Sequence, residues 1–441
     1  MTAPQTVDLL IEARWVIPVE PHGTVLDAHA VAVDDDRIVA ILPIAEARRR
    51  FEPRERAELT EHALIPGLVN AHVHNPMALM RGLADDVPFA VWLQERIWPA
   101  EARVMGPEFV RDGIELAIAE MIRGGTTCCN ENYFFPDVQA ATYRRHGFRA
   151  RVGLPVIEFP TAWARSRDEY FDKALAVHDD LRDDALIGTA FAPHAPYTVS
   201  DESFERIHLL SDQLDLPVHL HLHETAGEIS DSLRDHGMRP FARIKQIGLV
   251  NERLIAVHMT QLTDAEIAEC ATRGVSIVHN VESNMKLLSG FCPAEKIRRA
   301  GVNLALGTDG CASNNDLDLF GEMRSVALVG KLIANDAAAL DAASVLRAAT
   351  YGSARAMGWS ERIGTIEVGK QADLAAVRLD AIETQPVYNV ISQLVYAAGR
   401  HQVSDVWIAG VRKLRDRVLG GFDLVELLER TRRWRDRIAT A

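Results

Sequence analysis

Residues 7–43 alternate apolar and polar positions in two short runs, VDLLIEARWVIPV and AVAVDDDRIVAIL, parted by Pro, Gly and Asp. That period of two, bounded by turn residues, predicts the strands of a small β module. From Leu64 onward the pattern changes to short apolar runs separated by longer amphipathic stretches. Runs with no polar face predict parallel strands covered on both sides, with the amphipathic stretches as crossover helices. The runs are LIPGLVNAHVH (64–74), GTTCCNENY (125–133), ARVGLPVIE (150–158), ALIGTAFAPHAP (185–196), PVHLHLHE (217–224), RLIAVHMT (253–260), GVSIVHNVESN (274–284) and GVNLALGTDG (301–310). Between them, EFVRDGIELAIAEMIRGG and DAEIAECATRG read as helices, the second closing on a glycine C-cap.

Eight such units over residues 66–330 predict a (β/α)₈ TIM barrel, an α/β fold whose site is assembled at the C-terminal ends of the strands. No GxGxxG turn follows the first run, which argues against a doubly wound sheet. After two more helix-like stretches, IGTIEVGKQADLAAVRL (363–379) and SDVWIAGVRKL (404–414) return to strand character. Pairing them with the N-terminal strands gives a small β-sandwich domain built from both chain ends, residues 1–63 and 361–441, around a catalytic barrel at 64–360.

Composition narrows the partners. With 48 Lys+Arg against 62 Asp+Glu the formal charge is −14, which disfavours a nucleic-acid polymer or an anionic membrane. Acidic residues interrupt every apolar run before it could span a bilayer, and no basic start precedes an apolar core, so neither export nor a membrane anchor is expected. Five scattered cysteines suit a reduced, cytoplasmic protein.

The sixteen histidines are the informative count, because several end apolar runs. His72 and His74 are alternate residues of the first run, so both imidazoles share one face. His219, His221 and His223 repeat that spacing in the fifth run; chance predicts about 0.02 such triplets, and one of the three is expected to be structural. His258 ends the sixth run and Asp309 the eighth, completing a ligand set that suits a divalent transition metal. Taken alone Asp309 could equally cap a turn, and Glu224 could be a solvated first-turn acid.

Together PGLVNAHVH, HxxE in His221–Glu224, His258, TDG at Asp309 and GTIEVGKQADL resemble the amidohydrolase superfamily over nearly the whole chain. The resemblance implies that His72, His74, His221, His258 and Asp309 hold the metal, that Asp309 is also the catalytic aspartate, and that Glu224 shuttles protons. The fourth run ends FAPHAP, without the lysine that two-metal members carbamylate, so one divalent metal is expected, zinc by resemblance, with iron or manganese permitted by the ligand types. His279 is expected to hydrogen-bond Asp309 or substrate, with a structural role as the alternative.

Further segments, MALMRGLADDVPFAVWL, WPAE, HAPYTVS, HLHET and VESNMKLLSG, look like the methylthioadenosine/S-adenosylhomocysteine deaminase branch. That likeness implies hydrolytic deamination at C6 of an adenosine-type nucleoside, with Trp92, Glu101, His194 and Glu224 at the substrate and Arg165 or Arg167 on an amino-acid carboxylate. Asn284, Met285 and Lys286 are expected at substrate or between loops, and residues 75–100 as a lid. A homo-oligomer acting on a small-molecule nucleoside is expected; the alternative is a relative that acts on guanine, pterin or s-triazine substrates.

Overall fold

The computed structural model describes residues 4–440. At its centre lies an eight-stranded parallel sheet in sequential order: Leu68–Val73, Thr126–Glu131, Arg149–Val156, Ile187–Pro193, Val218–Leu222, Leu254–His258, Ser276–His279 and Asn303–Leu306. Each strand lies on one of the apolar runs, and almost all of its residues are buried, because helices cover the outside while side chains fill the inside. The expected (β/α)₈ barrel is therefore present. Its first and eighth strands meet through Asn70, whose side chain accepts from the Thr308 N–H (3.0 Å) and donates to the Thr308 hydroxyl (2.8 Å), while the Asp309 N–H donates to His72 O (3.0 Å).

Helices leave the C-terminal face under side-chain caps. Ser166, Ser200, Thr225 and Thr263 each accept the backbone N–H three residues on, which satisfies orphan donors and fixes how the loops exit the barrel. Gly274 closes its helix in the left-handed region at φ 73°, as the DAEIAECATRG pattern predicts.

Both chain ends form a second, mixed sheet, ordered Val418–Leu419, Val411–Arg415, Val403–Ile408, Leu374–Arg378, Phe51–Pro66, Gln5–Val16, Leu26–Asp34, Arg37–Pro43. It curls until distant strands touch. The Ala372 N–H donates to Asp36 O (2.8 Å), and Gly410, at φ 75°, lies so close to Asp35 that a Cβ would sit 2.4 Å from its carbonyl oxygen. Leu9, Ile11, Val33, Leu374 and Trp407 fill the space enclosed. The long strand Phe51–Pro66 has no apolar signature in its first half because backbone pairing with Gln5–Val16, rather than burial, holds it there.

The last helix, Leu424–Thr440, falls in the segment assigned from sequence to the composite sheet, yet it packs on the barrel helix Pro107–Arg123. Trp434 meets Phe109 edge to face at 5.4 Å and donates its indole N–H to Asp112 (2.8 Å), with Arg430 bonded to Asp112 and Glu115. Among the described residues no helix is long and apolar enough to cross a membrane.

Barrel and composite sheet are joined under the barrel floor by a buried pair. Arg149 donates to both oxygens of Asp373 (2.7 and 3.0 Å), with each side chain about 1% exposed. Removing one partner strands the other charge in a dry interior. Arg149→Met is expected to cost about 3–5 kcal/mol, read as a lowered unfolding midpoint. Arg149→Met/Asp373→Asn, which leaves no lone charge, should recover part of that loss; a double variant no more stable than the single one would contradict this account.

Candidate metal centre and substrate cavity

Four imidazoles and one carboxylate meet at the C-terminal mouth of the barrel. His72 comes from the first strand and His74 from its end, His221 from the fifth, His258 from the end of the sixth, and Asp309 from just beyond the eighth. His72, His221 and His258 present ligand atoms within 4.8 Å of one another, as do His72, His74 and Asp309. Asp309 Oδ1 lies 3.4 Å from His72 Nε2 and 3.3 Å from His74 Nε2, and His74 and His221 approach Nε2 to Nε2 at 3.3 Å. Neighbouring ligands at ~2.1 Å from a four- or five-coordinate ion lie roughly 3.0–3.6 Å apart, so the spacing fits a small divalent cation.

What aims these rings is the bond made by the far nitrogen of each. Nδ1 of His74 donates to Asn132 O, Nδ1 of His221 to His194 O (2.7 Å) and Nδ1 of His258 to Asn284 Oδ1 (2.8 Å). Nδ1 of His72 faces Nε2 of His219 at 2.8 Å. With Nδ1 carrying the proton, every Nε2 keeps a lone pair pointed at the same spot. His72 Nε2 is buried and has no hydrogen-bond partner, the orphaned donor atom expected of a metal ligand. Burial lowers His72 to about 3 and holds His221 well below the ordinary range, so both imidazoles are neutral, the form a metal binds.

The strand ends reach this geometry through unusual backbone. His223, His258 and Asp309 occupy the left-handed region at φ 54°, 74° and 63°, where each chain turns out of its strand. Gly307 precedes Asp309 at a point where a Cβ would lie 2.5 Å from Asn280 Oδ1 and 2.8 Å from the His72 nitrogen, which explains the glycine of GTDG.

Two carboxyl groups flank the centre in different surroundings. Burial pushes Asp309 up, but its position beside the imidazoles of His72, His74 and His258 outweighs it and holds the carboxyl well below its ordinary range. Asp309 Oδ2 accepts from the Ser283 hydroxyl at 2.7 Å. Burial raises Glu224, whose Oε1 lies 3.3 Å from Ser289 Oγ and 3.8 Å from His258 Nε2. Its backbone is set by Glu228, which accepts the N–H groups of His223 (3.1 Å) and Glu224 (2.7 Å).

Beside the centre opens a cavity of about 450 Å³ lined by Trp92, Glu101, Tyr133, His194, Glu224 and Asp309 among others. Tyr133 donates its hydroxyl to Glu101, and burial lifts the Glu101 carboxyl to about 7. The Trp92 indole N–H is spent on Ala312 O (3.1 Å), leaving the ring as wall, and His194 bonds Thr198 Oγ1 at 3.0 Å.

Other expected residues are placed elsewhere. Arg165 and Arg167 are exposed and outside the lining: they stand at the start of the helix capped by Ser166, and Arg167 is paired with Glu202. His279 is buried 3.5 Å from the Asn284 amide, and it is Ser283 that bonds Asp309. Of the remaining pair in the fifth strand, His219 contacts His72, and His223 accepts the Phe241 N–H (3.0 Å). Lys286 makes the expected link between loops, reaching Asp85 at 2.6 Å. Sequence reading missed Tyr133, Asn132, Ser283 and Glu228, although Asn132 and Tyr133 end the second apolar run and Ser283 lies inside VESN.

Residues 63–413 match the amidohydrolase family. A 5-methylthioadenosine/S-adenosylhomocysteine deaminase of Teredinibacter turnerae is 44% identical, with 99% of each chain covered. One of Saccharophagus degradans is 41% identical over 99% of this chain and 98% of its own. Among solved structures, an adenosine deaminase from Xanthomonas campestris with bound zinc aligns with TM-score 0.99 and 65% identity over 99% of this chain and 100% of its own. A zinc complex of an atrazine chlorohydrolase from Arthrobacter aurescens, at 22% identity and TM-score 0.89 over 97% of this chain and 99% of its own, shares the fold.

The His219 contact makes a prediction. His219→Ala frees His72 Nδ1, and loss of such an orienting partner typically weakens metal affinity about 10–100-fold. Competition with a chelator should register that weakening at nearly unchanged unfolding temperature; unaltered affinity would show that His72 is oriented without it.

Proposed function

The chain belongs to the amidohydrolase family, and from that premise we propose that it is a metal-dependent hydrolytic deaminase acting at C6 of adenosine-type nucleosides. Its substrates are 5′-methylthioadenosine, S-adenosylhomocysteine and adenosine, converted to the inosine analogues with release of ammonia. The observation that carries this reading is one cavity lined both by His74, His221, His258 and Asp309 of the imidazole–carboxylate cluster and by a Tyr133–Glu101 pair. The first suits attack by water, the second a polyhydroxylated sugar.

We assign His72, His74, His221, His258 and Asp309 to one divalent cation, zinc by likeness to the Xanthomonas campestris structure. Bound there, the cation lowers the pKa of water and so supplies a nucleophile near neutral pH. Asp309 accepts a proton from the attacking water and later passes it to the departing amine. Glu224, which burial biases toward its neutral form, donates to the ring nitrogen beside C6 as the ring loses conjugation, and recovers a proton from the C6 hydroxyl as the carbonyl forms and ammonia leaves. Glu101 accepts the ribose hydroxyls, with Tyr133 holding it in place. Trp92 and His194 wall the nucleoside, and the apolar lining excludes competing water.

The five cysteines, all buried and unpaired, support a reducing, cytoplasmic setting. An adenine-to-hypoxanthine absorbance change and ammonia release test the activity; absence of both with all three nucleosides would refute it. Glu224→Gln is expected to lower kcat about 10²–10⁴-fold with metal content retained. Glu101→Ala should raise KM for nucleosides at least tenfold while leaving kcat/KM for the free base adenine unchanged; equal effects on both would argue for a free-base or triazine substrate.

A further inference from the structure

Past the catalytic cavity a collar of Phe89, Leu93, Trp98, Phe159 and Tyr197 opens into a second chamber of about 650 Å³. Trp98 and Phe159 meet edge to face at 6.3 Å, and Trp98 stands three residues before Glu101 on the helix Trp98–Val104, so collar and sugar site are adjacent on one helix face. A nucleoside with C6 at the metal centre and its ribose hydroxyls on Glu101 has one remaining arm, the 5′-substituent, to send through that collar.

The charges along this route are one-sided. No Lys or Arg lines the inner cavity, and the outer chamber sets the exposed Glu158, Asp231 and Asp235, with Glu228, whose carboxyl burial raises to about 7, against Arg243 and His236. Arg243 is already saturated by Asp201, Pro196 O and Val199 O. Arg234, behind the chamber wall, is divided between Asp231 (2.6 Å) and Asp235 (2.7 Å), and Arg167 is held by Glu202. Glu158 is fixed by the Ser200 N–H and by the hydroxyls of Ser200 (2.7 Å) and Ser203 (2.6 Å), donors that favour its ionised form.

We propose that the outer chamber sorts substrates by the charge at the end of the 5′-substituent, accepting neutral or cationic ends and disfavouring a carboxylate. The inference rests on the nucleoside reading and orders the substrates within it: 5′-methylthioadenosine passes an apolar collar with nothing charged to place, whereas the carboxylate of S-adenosylhomocysteine, beside its own ammonium, meets Glu158, Asp231 and Asp235 and no uncommitted Lys or Arg in the lining.

The test compares kcat/KM for 5′-methylthioadenosine, S-adenosylhomocysteine and the decarboxylated analogue of the latter, 5′-(3-aminopropylthio)-5′-deoxyadenosine, at low and high ionic strength. S-adenosylhomocysteine is expected at least tenfold below both others, with the gap closing as salt screens the chamber. Asp231→Asn/Asp235→Asn, which removes two anions and releases Arg234, should raise the ratio of S-adenosylhomocysteine to 5′-methylthioadenosine at least threefold. S-adenosylhomocysteine turned over within threefold of 5′-methylthioadenosine, especially if Arg165→Ala then abolishes the parity, would overturn the proposal. So would an aminopropyl analogue as poor as S-adenosylhomocysteine, because length rather than charge would then be limiting. Turnover of none of the three removes the nucleoside premise itself, a different result from either.

Discussion

Each of the four imidazoles clustered at the barrel mouth has its Nδ1 committed to a neighbour, and on that constraint the site depends. Free imidazole can present either nitrogen, so four unrestrained rings would rarely offer four lone pairs to one point. Here three main-chain or amide oxygens and one further imidazole settle the matter. The partners come from different segments: Asn132 follows the second strand, His194 the fourth, Asn284 the seventh, and His219 lies in the fifth. The centre is thus oriented by the closed barrel as a whole.

The cost of that arrangement is visible in the backbone. Left-handed φ at His223, His258 and Asp309 is unfavourable for residues bearing a Cβ, at about 1–3 kcal/mol each, and persists because surrounding bonds over-determine it. Asn70 sews the seam on which Asp309 rides, Glu228 ties down the turn at His223 and Glu224, and Thr260 bonds the Glu224 carbonyl (2.6 Å). A rigid scaffold with its strain concentrated at the reacting end gives preorganisation, which is where rate enhancement by fixed charges originates.

The same closure separates two electrostatic regimes. Next to the imidazoles, buried acids are pulled apart, Asp309 toward its anion and Glu224 toward its neutral form. Farther out, beyond the aromatic collar, Glu158, Asp231 and Asp235 stand exposed to water, and the Ser203 and Ser200 donors outweigh burial to hold Glu158 below its ordinary range. Two cavities that share an aromatic collar therefore differ in their acids, the inner one holding Asp309 and Glu224 biased in opposite directions and the outer one carrying exposed carboxylates.

The sequence by itself determined the barrel, its strand positions and its ligand types. Continuous apolar runs cannot be satisfied except by two-sided burial, and histidines in strands alternate with core residues on a fixed period of two. The clustered histidines His72, His74, His221 and His258 were legible because that period and the strand ends locate them. Tertiary structure alone decided the rest. Tyr133, Asn132, Glu228 and the orienting role of His219 carry no local pattern, since each acts on a residue brought near by barrel closure. Arg165 and Arg167, plausible beside a substrate carboxylate when read along the chain, lie at an exposed helix start, because a charge's use depends on which way the folded surface turns it. Periodicity fixes which face a residue occupies; only the closed barrel fixes what that face meets.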